Sequence, residues 1–498
     1  MAARISVDTD TWWHLRTGAW ILEHGEIPQT DPFSYTRFGQ DWRIPGWLVQ
    51  VPMAWMYRAG GPGLLNLWVA GMVTLAFWLV YRAMDGGVFT KAFILILGAA
   101  AAGVYWAARP YMVTFVLAAA FLSILEDWRR GEADRLWWLP VLMLVWANSH
   151  GGFAVGFILW GVYLVGRLGE WANGRMGEET NGRMGEWAEG RRGDGAQGAL
   201  VGRPEIGSAS ENRPFAHPPI RPFLYVGAVM LVAVALNPAG PRLLLYPFET
   251  VQIEALQDFI QEWQSPNFHE RQVWPFAAQI FLLFGAAGIS RKPLITEHFL
   301  LITAFGFLSL LAGRNIAIFS LAATVVLARL AGPVVDEVGE RLGVRLNVDR
   351  PARGVRGVVN WTLAVLILLA AGLKAASVYP RAVNEAAFAD FLPVGAVEYI
   401  RENEPDGRLF NAYNWGAYLL WALPEYPVFV DGRTDLYDDE VIGEWLRVVR
   451  AEPGWEEVLE EWEVGFVLIE PGYPIATSLE SAGWNKAFED ETAVVLVK

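Results

Sequence analysis

The chain has 498 residues, of which 54% are hydrophobic, 13% aromatic and only 18% charged, whereas soluble domains carry about 25% charged residues. This composition excludes a disordered protein and a nucleic-acid-binding protein with a basic face, and the lack of cysteine excludes thiol catalysis and disulfides. The charge is unevenly divided: residues 378–498 hold 24 acidic and 8 basic side chains, and the first 377 residues hold 29 and 31. The sequence therefore indicates an α-helical polytopic membrane protein with an acidic C-terminal domain.

Ten apolar runs are predicted to be transmembrane helices, because a helix needs about 20 mostly apolar residues to cross a bilayer. They lie near residues 62–84, 91–108, 110–127, 136–149, 151–168, 222–237, 275–289, 294–312, 314–332 and 356–377. Five connecting loops hold 21 Lys and Arg side chains, whereas the four alternate loops hold only Arg109, Arg242, Arg271 and Arg314. By the positive-inside rule, the loops poor in basic residues lie outside the cytoplasm.

This alternation predicts three domains and the side of the membrane on which each lies. They are a first extracytoplasmic loop with interfacial helices (1–61), a transmembrane helical domain (62–377) and an extracytoplasmic α/β domain (378–498). Because the first loop must cross the membrane without a leading helix, one further transmembrane helix is expected before Met1. Residues 168–221 are predicted to be a disordered cytoplasmic insertion, since they carry an eight-residue repeat rich in glycine and charge.

The acidic C-terminal domain alternates between helical and strand-like segments. The segments GAVEYIREN, DDEVIGEWLRVV and GWEEVLEEW have helical spacing, and RLFNAY, YPVFVDG, GFVLIE and TAVVLV are short β-rich runs. Alternating strands and helices predict an α/β domain with a mainly parallel sheet. The segment has no glycine-rich phosphate loop, so the sequence does not support nucleotide binding there.

The densest group of polar residues lies in the segment DTDTWWHLRTG, which begins at Asp8. Asp8 and Asp10 are spaced so that they can share a divalent cation such as Mg²⁺ or Mn²⁺, or act as a general base and its orienting partner. His14 and Arg16 follow directly and are predicted to contact the substrate. The alternative is that the two carboxylates cap the helix that starts near Thr11, which stabilises a helix by about 1 kcal/mol.

Other candidates for substrate binding lie at the outer ends of predicted helices and in the first loop. Asp31, in DPFSY, supplies a third carboxylate to the first loop, unless it only starts a turn before the proline. Arg109 and Arg314 occur against the positive-inside trend, and guanidinium groups bind phosphate through paired, charge-assisted hydrogen bonds. Asn148 and His150, in WANSHGG, end another predicted helix. The alternatives are helix capping and contact with lipid head groups.

One further polar group lies in the C-terminal domain, in the segment FVDGRTDLYDDE. Asp431, Arg433 and Asp435 follow a predicted strand, and the carboxyl ends of parallel strands are where α/β domains bind ligands. An internal ion pair that holds a loop is the favoured interpretation of these residues.

The first-loop segment DTDTWWHLRTGAWILEHGEIPQTDPFSYT and the helix count resemble the C-type membrane glycosyltransferases. Within that superfamily the chain is most similar to a group of prokaryotic membrane proteins, with matches at 146–151 (WANSHG), 236–240 (LNPAG), 262–269 (EWQSPNFH) and 410–437. The resemblance implies many transmembrane helices, a sugar donor linked to polyprenyl phosphate, and acidic catalytic residues in the first external loop, here Asp8 and Asp10. It also implies a location in the inner membrane of a prokaryotic cell.

The reaction implied by the resemblance is transfer of a sugar from a polyprenyl phosphate to an unknown acceptor outside the cytoplasm. One aspartate would deprotonate the acceptor hydroxyl, and a single displacement would invert the anomeric centre. Arginines or a divalent cation would stabilise the departing phosphate. The alternative function is a non-catalytic membrane scaffold whose α/β domain binds surface or periplasmic partners. A transporter is disfavoured because the predicted spans contain few ionisable residues at mid-membrane.

Overall fold

The computed structural model describes residues 1–169, 220–254, 259–343 and 355–498. Apart from its first two and last two positions, the predicted insertion 168–221 lies outside the described residues, and so does its repeat.

Within the described residues, seven helices are long and apolar enough to cross a membrane: Trp47–Ala83, Val88–Tyr105, Tyr111–Arg130, Gly151–Gly169, Arg271–Ile289, Gly313–Arg341 and Gly357–Ser377. Three more apolar helices are shorter, at Trp138–Ala147, Ile220–Ala235 and Thr296–Leu311. Every predicted run falls on one of these ten helices. A multi-pass membrane protein is therefore supported, while a count of ten complete spans stays a prediction.

The longest of these helices contains a break that divides it into two parts. At Gly61 the backbone has a φ of 63°, a left-handed conformation that glycine adopts without steric cost, and Pro62 begins the second part. The first part therefore belongs with the first loop, and the second corresponds to the predicted run 62–84.

Two helices form the centre of the bundle. Each helix has a most apolar stretch of 18 residues. In Tyr111–Arg130 and Gly313–Arg341, 83% and 72% of that stretch is buried, whereas none of it is buried in Gly357–Ser377. The central helices thus carry the loops that contain Arg109 and Arg314 on a rigid support.

The C-terminal domain contains a four-stranded sheet in the order β1-β2-β4-β3. The strands are Arg408–Asn411 (β1), Val464–Ile469 (β2), Asn485–Glu489 (β3) and Val494–Val497 (β4). Helices surround it at Arg381–Ala389, Val394–Asn403, Tyr413–Ala422, Thr434–Val449, Trp455–Glu461 and Pro474–Ser481.

The prediction of a mainly parallel sheet is wrong. Only β1 and β2 are parallel, while β4 pairs antiparallel with both β2 and β3. The loop between β3 and β4 has four residues, and its Asp490 accepts hydrogen bonds from the backbone N–H groups of Thr492 and Ala493. So short a connection can join only antiparallel strands.

The segment YPVFVDG (426–432) was also predicted to be a strand, and this prediction is wrong as well. Instead of joining the sheet, Val428 forms a single β-bridge with Ser34 of the first loop. The hydroxyl of Thr36 donates to the backbone oxygen of Phe429, and that of Tyr35 to the oxygen of Leu409. Because the first loop packs directly on the C-terminal domain, both lie on the same side of the helical bundle.

Candidate functional site

Five charged side chains from four separate segments meet beside the start of the helix Thr11–His24. We call this group the carboxylate–arginine cluster; it consists of Asp8, Asp10, Arg109, Glu262 and Arg314. Arg109, Glu262 and Arg314 come from three loops of the helical domain. Four of the five are among the candidates predicted from the sequence: Asp8, Asp10 and Arg109 meet directly, and the fifth residue, Glu262, links Arg314 to them.

Arg109 lies at the centre of the cluster and contacts all three carboxylates. Its Nε and Nη2 atoms are each 2.6 Å from Asp8 Oδ2, and its Nη1 is 2.9 Å from Asp10 Oδ2 and 3.1 Å from Glu262 Oε2. Burial disfavours the charged guanidinium, but the three carboxylates outweigh burial and raise the pKa of Arg109. Arg109 therefore stays positively charged, and its Nε, Nη1 and Nη2 groups already contact carboxylate oxygens.

Arg314 makes fewer and longer contacts with carboxylates than Arg109 does. Its Nη1 lies 3.7 Å from Glu262 Oε1, and its guanidinium stacks 4.3 Å from the ring centre of Trp263. A quarter of its side-chain surface is exposed. Arg314 is therefore the arginine of the cluster with donors available to an incoming anion such as a phosphate.

The two aspartates differ in what their oxygens do. Asp8 Oδ1 accepts the backbone N–H groups of Asp10 and Thr11, so Asp8 does cap the helix, while its Oδ2 binds Arg109. The side chain of Asp10 makes no capping hydrogen bond. The capping alternative therefore applies to Asp8 and not to Asp10, although Asp10 is the residue next to the helix.

Asp10 has the properties of an acid–base group. Within the described part of the chain, its Oδ1 has no hydrogen-bond partner and packs against Gly432, where a larger residue would collide with it. Burial raises the pKa of Asp10 to about 7; Arg109 opposes this shift, and the charges of Asp8 and Glu262 add to it. A carboxyl with this pKa exchanges protons near neutral pH, and a quarter of its side chain remains exposed.

Two predicted histidines border the cluster in their neutral forms. Burial, together with the positive charge of Arg314, lowers the pKa of His150 to about 3, and its Nδ1 accepts the N–H of Gly152 at 2.9 Å. Burial and Arg109 lower the pKa of His14 well below its usual range, and the His14 Nδ1 lies 2.9 Å from Gln50 Nε2. Neither histidine adds charge to the cluster.

The divalent cation expected on Asp8 and Asp10 does not fit the residues as they are arranged. The oxygens Asp8 Oδ2 and Asp10 Oδ2, which would face a shared ion, both contact the Arg109 guanidinium. A positive group thus stands where the ion would have to bind. Across the described residues, no group of three or more His, Cys, Asp or Glu side chains is arranged to hold a metal.

Two other predicted residues lie outside the cluster. Arg16 is 3.7 Å from Glu23 and lies over the ring of Phe33. Asn148 Oδ1 accepts hydrogen bonds from Trp47 Nε1 at 2.9 Å and Asn237 Nδ2 at 3.2 Å. Asn148 thus joins three helix ends to each other.

Asp31 belongs to a second charged group, which we call the interdomain ion-pair cluster. Arg433 Nη1 is 2.5 Å from Asp31 Oδ1, and its other nitrogens bind Asp431, whose Oδ2 also accepts the hydroxyl of Tyr437. The Trp42 ring centre lies 4.6 Å from the Arg433 guanidinium. Asp31, Asp431 and Arg433 are fully buried, so Asp431 and Arg433 form the predicted internal ion pair, and Asp31 joins the first loop to it. The third predicted residue, Asp435, lies outside this pair and accepts the hydroxyl of Tyr246.

Replacing Arg433 with methionine is expected to destabilise the protein by about 3–5 kcal/mol, because two buried carboxylates lose their partner. The matched control is Arg450→Met, since Arg450 is half exposed and pairs with Glu452 at 3.5 Å. Such a surface pair contributes about 0–1 kcal/mol. Denaturant unfolding followed by tryptophan fluorescence measures both variants, and equal shifts would contradict the prediction.

Sequence reasoning missed Glu262, which bridges the two arginines. Burial disfavours its ionised form, but Arg109 and Arg314 outweigh burial and lower its pKa. The available signal was its position at the start of the EWQSPNFH segment, which was noted only as part of the resemblance. A single glutamate in a loop has no local pattern that reveals a partner about 150 positions away.

No family model and no curated protein matches the sequence. Among solved structures, the chain is similar to the archaeal oligosaccharyltransferase AglB from Archaeoglobus fulgidus in complex with an inhibitory peptide and a dolichol-phosphate. That alignment has a TM-score of 0.55 and 12% identity, over 94% of this chain and 66% of the other. The chain shares the fold of this archaeal oligosaccharyltransferase. The resemblance noted in the first loop is thereby confirmed at the level of the fold.

A second structure of an Archaeoglobus fulgidus oligosaccharyltransferase, tethered to an acceptor peptide, gives a TM-score of 0.50 and 12% identity over 93% of this chain. The protein described here spans about two thirds of the length of these archaeal enzymes. ArnT from Cupriavidus metallidurans, bound to undecaprenyl phosphate, aligns over 99% of this chain with a TM-score of 0.43 and 14% identity.

Proposed function

We propose that the protein is a membrane glycosyltransferase that moves a sugar from a polyprenyl-phosphate carrier to an acceptor outside the cytoplasm. The observation that carries this proposal is the pairing, in one partly exposed cluster, of a carboxyl with a pKa near 7 and an arginine available to a phosphate. The shared fold supports it, because the similar archaeal structure is an oligosaccharyltransferase solved with a dolichol-phosphate.

In the proposed step, Asp10 acts as the general base. Its Oδ1 takes the proton of the acceptor hydroxyl while the hydroxyl oxygen attacks the anomeric carbon of the donor sugar. The bond between that carbon and the phosphate oxygen breaks, and the carrier leaves as polyprenyl phosphate. Because attack and departure occur on opposite faces, the anomeric centre is inverted.

The other residues of the cluster have supporting roles in this proposal. Arg314 binds the departing phosphate, whose negative charge grows as the bond breaks. Asp8 and Glu262 hold Arg109, which keeps Asp10 in place at 2.9 Å. Among the residues that the structure describes, Trp13 Nε1 is buried without a hydrogen-bond partner, and it lies beside Gly432, next to Asp10. We assign this N–H to the acceptor oxygen.

The direct test uses the full chain in liposomes with a panel of radiolabelled sugars linked to polyprenyl phosphate, together with a cell-envelope extract that supplies acceptors. Release of polyprenyl phosphate coupled to labelling of the extract is expected for at least one donor. A chain that folds and turns over none of the panel would contradict the proposal and favour the scaffold alternative.

The raised pKa of Asp10 predicts a specific pH dependence. A general base must be ionised, and the carboxylate form of Asp10 predominates only above about pH 7. The rate is expected to fall about tenfold for each pH unit below 7 and to level off above it. Initial rates between pH 5 and 9, with unfolding monitored in parallel, measure this profile. An inflection near pH 4, the usual range of aspartate, would contradict it.

A further inference from the structure

A second polar site lies on the same side of the bundle as the carboxylate–arginine cluster. It is a cavity of about 230 Å³, lined on one wall by Gln29, Asp41, Trp42 and Arg43 of the first loop and on the other by Asn237 and Arg242. We call it the Arg242 cavity. None of these six residues belongs to the carboxylate–arginine cluster.

Both walls of the Arg242 cavity are held in place by hydrogen bonds. In the first wall, the Trp42 N–H donates to the Gln29 oxygen at 2.9 Å. In the second, Asn237 Nδ2 donates to the Ala147 oxygen at 3.0 Å, and its Oδ1 accepts the N–H of Ala239 at 2.9 Å. A preformed cavity loses little free energy to reorganisation when a ligand binds.

Arg242 is the residue of the cavity that favours a negative group on the ligand, and Asp41 on the opposite wall carries the opposite charge. In the part of the chain that the structure describes, the exposed guanidinium of Arg242 makes neither an ion pair nor a side-chain hydrogen bond. Arg43 is neutralised by Glu249 at 2.6 Å. Asp41 and Gln29 are exposed and can accept hydrogen bonds from hydroxyl groups. A ligand that suits these residues is a hydroxylated ring with one anionic substituent: the substituent binds Arg242, and the hydroxyl groups bind Asp41 and Gln29.

The size and position of the cavity restrict the ligand further. Pockets for drug-sized ligands measure about 300–1,000 Å³, so the Arg242 cavity has room for about one sugar ring. Trp42 separates it from the reacting centre, since its ring centre lies 6.3 Å from that of Trp13, which neighbours Asp10. The bound ring is therefore not the one that reacts.

The cavity is linked to Asp10 through Trp42, which contacts Trp13, the neighbour of Asp10 beside Gly432. In an inverting displacement, the attacking and departing groups lie on opposite faces of the donor sugar. Groups on the side of the base therefore belong to the acceptor, and groups on the side of Arg314 belong to the carrier phosphate. We propose that the Arg242 cavity binds one anionic sugar residue of the acceptor, with the acidic group on Arg242. The acceptor role rests on the proposed function.

The test measures binding without transfer, by saturation-transfer NMR on the full chain in detergent. The probes are methyl glucuronide, glucose 1-phosphate and the neutral methyl glucoside. Both anionic probes are expected to bind at least tenfold more tightly than the neutral one. Arg242→Gln is expected to weaken the anionic probes about tenfold and leave the neutral probe unchanged. The matched control is Arg271→Gln, which removes another exposed external arginine outside the cavity.

A second variant, Ala239→Phe, fills the cavity and is expected to abolish binding of all three probes. Equal affinity for charged and neutral probes, or an Arg242→Gln protein that binds like the parent, would overturn the proposal. Asp10→Asn separates the two proposals, because it removes the base while leaving the cavity intact. If the parent protein transfers no sugar but binds the anionic probes through Arg242, the binding site is supported and only its assignment to the acceptor is wrong.

Discussion

Asp10→Asn is expected to lower the rate of sugar transfer by 10²–10⁴-fold without a comparable loss of stability. Asparagine keeps the shape of the side chain, but it cannot accept the proton of the acceptor hydroxyl. The Asp10 side chain makes no capping hydrogen bond, so the helix Thr11–His24 should keep its start. The variant should also lose the inflection of the pH profile near 7, because the titrating group is gone.

Asp8→Asn is compared with Asp10→Asn because it tests whether the two aspartates have different roles. Asparagine caps a helix about as well as aspartate, so the contacts of Oδ1 with the N–H groups of Asp10 and Thr11 should persist. The lost charge weakens the hold on Arg109, so we expect a smaller rate loss than for Asp10→Asn, with the pH inflection retained.

Glu26→Gln serves as the control for both variants, since Glu26 is an exposed residue of the same loop. Single-turnover rates and thermal unfolding are measured for all three proteins. Equal rates for the Asp10→Asn protein and the parent would show that Asp10 is not the base. A loss of rate in Asp8→Asn larger than in Asp10→Asn would reverse the assignment of the two residues.

The helices could be predicted because each apolar run is a local property of the sequence. All ten runs fall on helices, and even the boundary at residue 62 coincides with the break at Gly61. The sheet was predicted less well, because strand direction depends on partners. The segment 426–432 has the composition of a strand, yet its partner is the first loop, nearly 400 positions earlier.

In the candidate site, too, features set by neighbouring residues could be predicted from the sequence, and contacts between distant residues could not. The spacing of Asp8 and Asp10 is visible in the sequence, but it does not reveal that one caps the helix and the other does not. That difference arises from backbone geometry over three residues. The partners of Arg109 lie about 100 and 150 positions away, so their meeting is set by packing of the helices and not by any local pattern.

The central position of Arg109 also predicts how the protein responds to divalent cations. Transfer by the parent protein is expected to survive a chelator such as EDTA, because the Arg109 guanidinium already contacts the carboxylates of Asp8, Asp10 and Glu262. Arg109→Ala leaves three carboxylates around an empty space, and carboxylate oxygens are the ligands that hard divalent cations prefer. This variant is therefore expected to bind Mn²⁺ at least tenfold more tightly than the parent.

Arg109→Ala is also expected to be less stable than the parent by about 3–5 kcal/mol, since the buried carboxylates repel each other. Mn²⁺ at 100 times its dissociation constant should restore about 2.7 kcal/mol of that loss. Arg109→Lys keeps a positive charge in the cluster and is the control: it should bind no more Mn²⁺ than the parent. Paramagnetic resonance of Mn²⁺ reports binding, and thermal unfolding reports the rescue. Tight Mn²⁺ binding by the parent, or loss of its transfer in EDTA, would mean that a metal displaces Arg109 from the carboxylates.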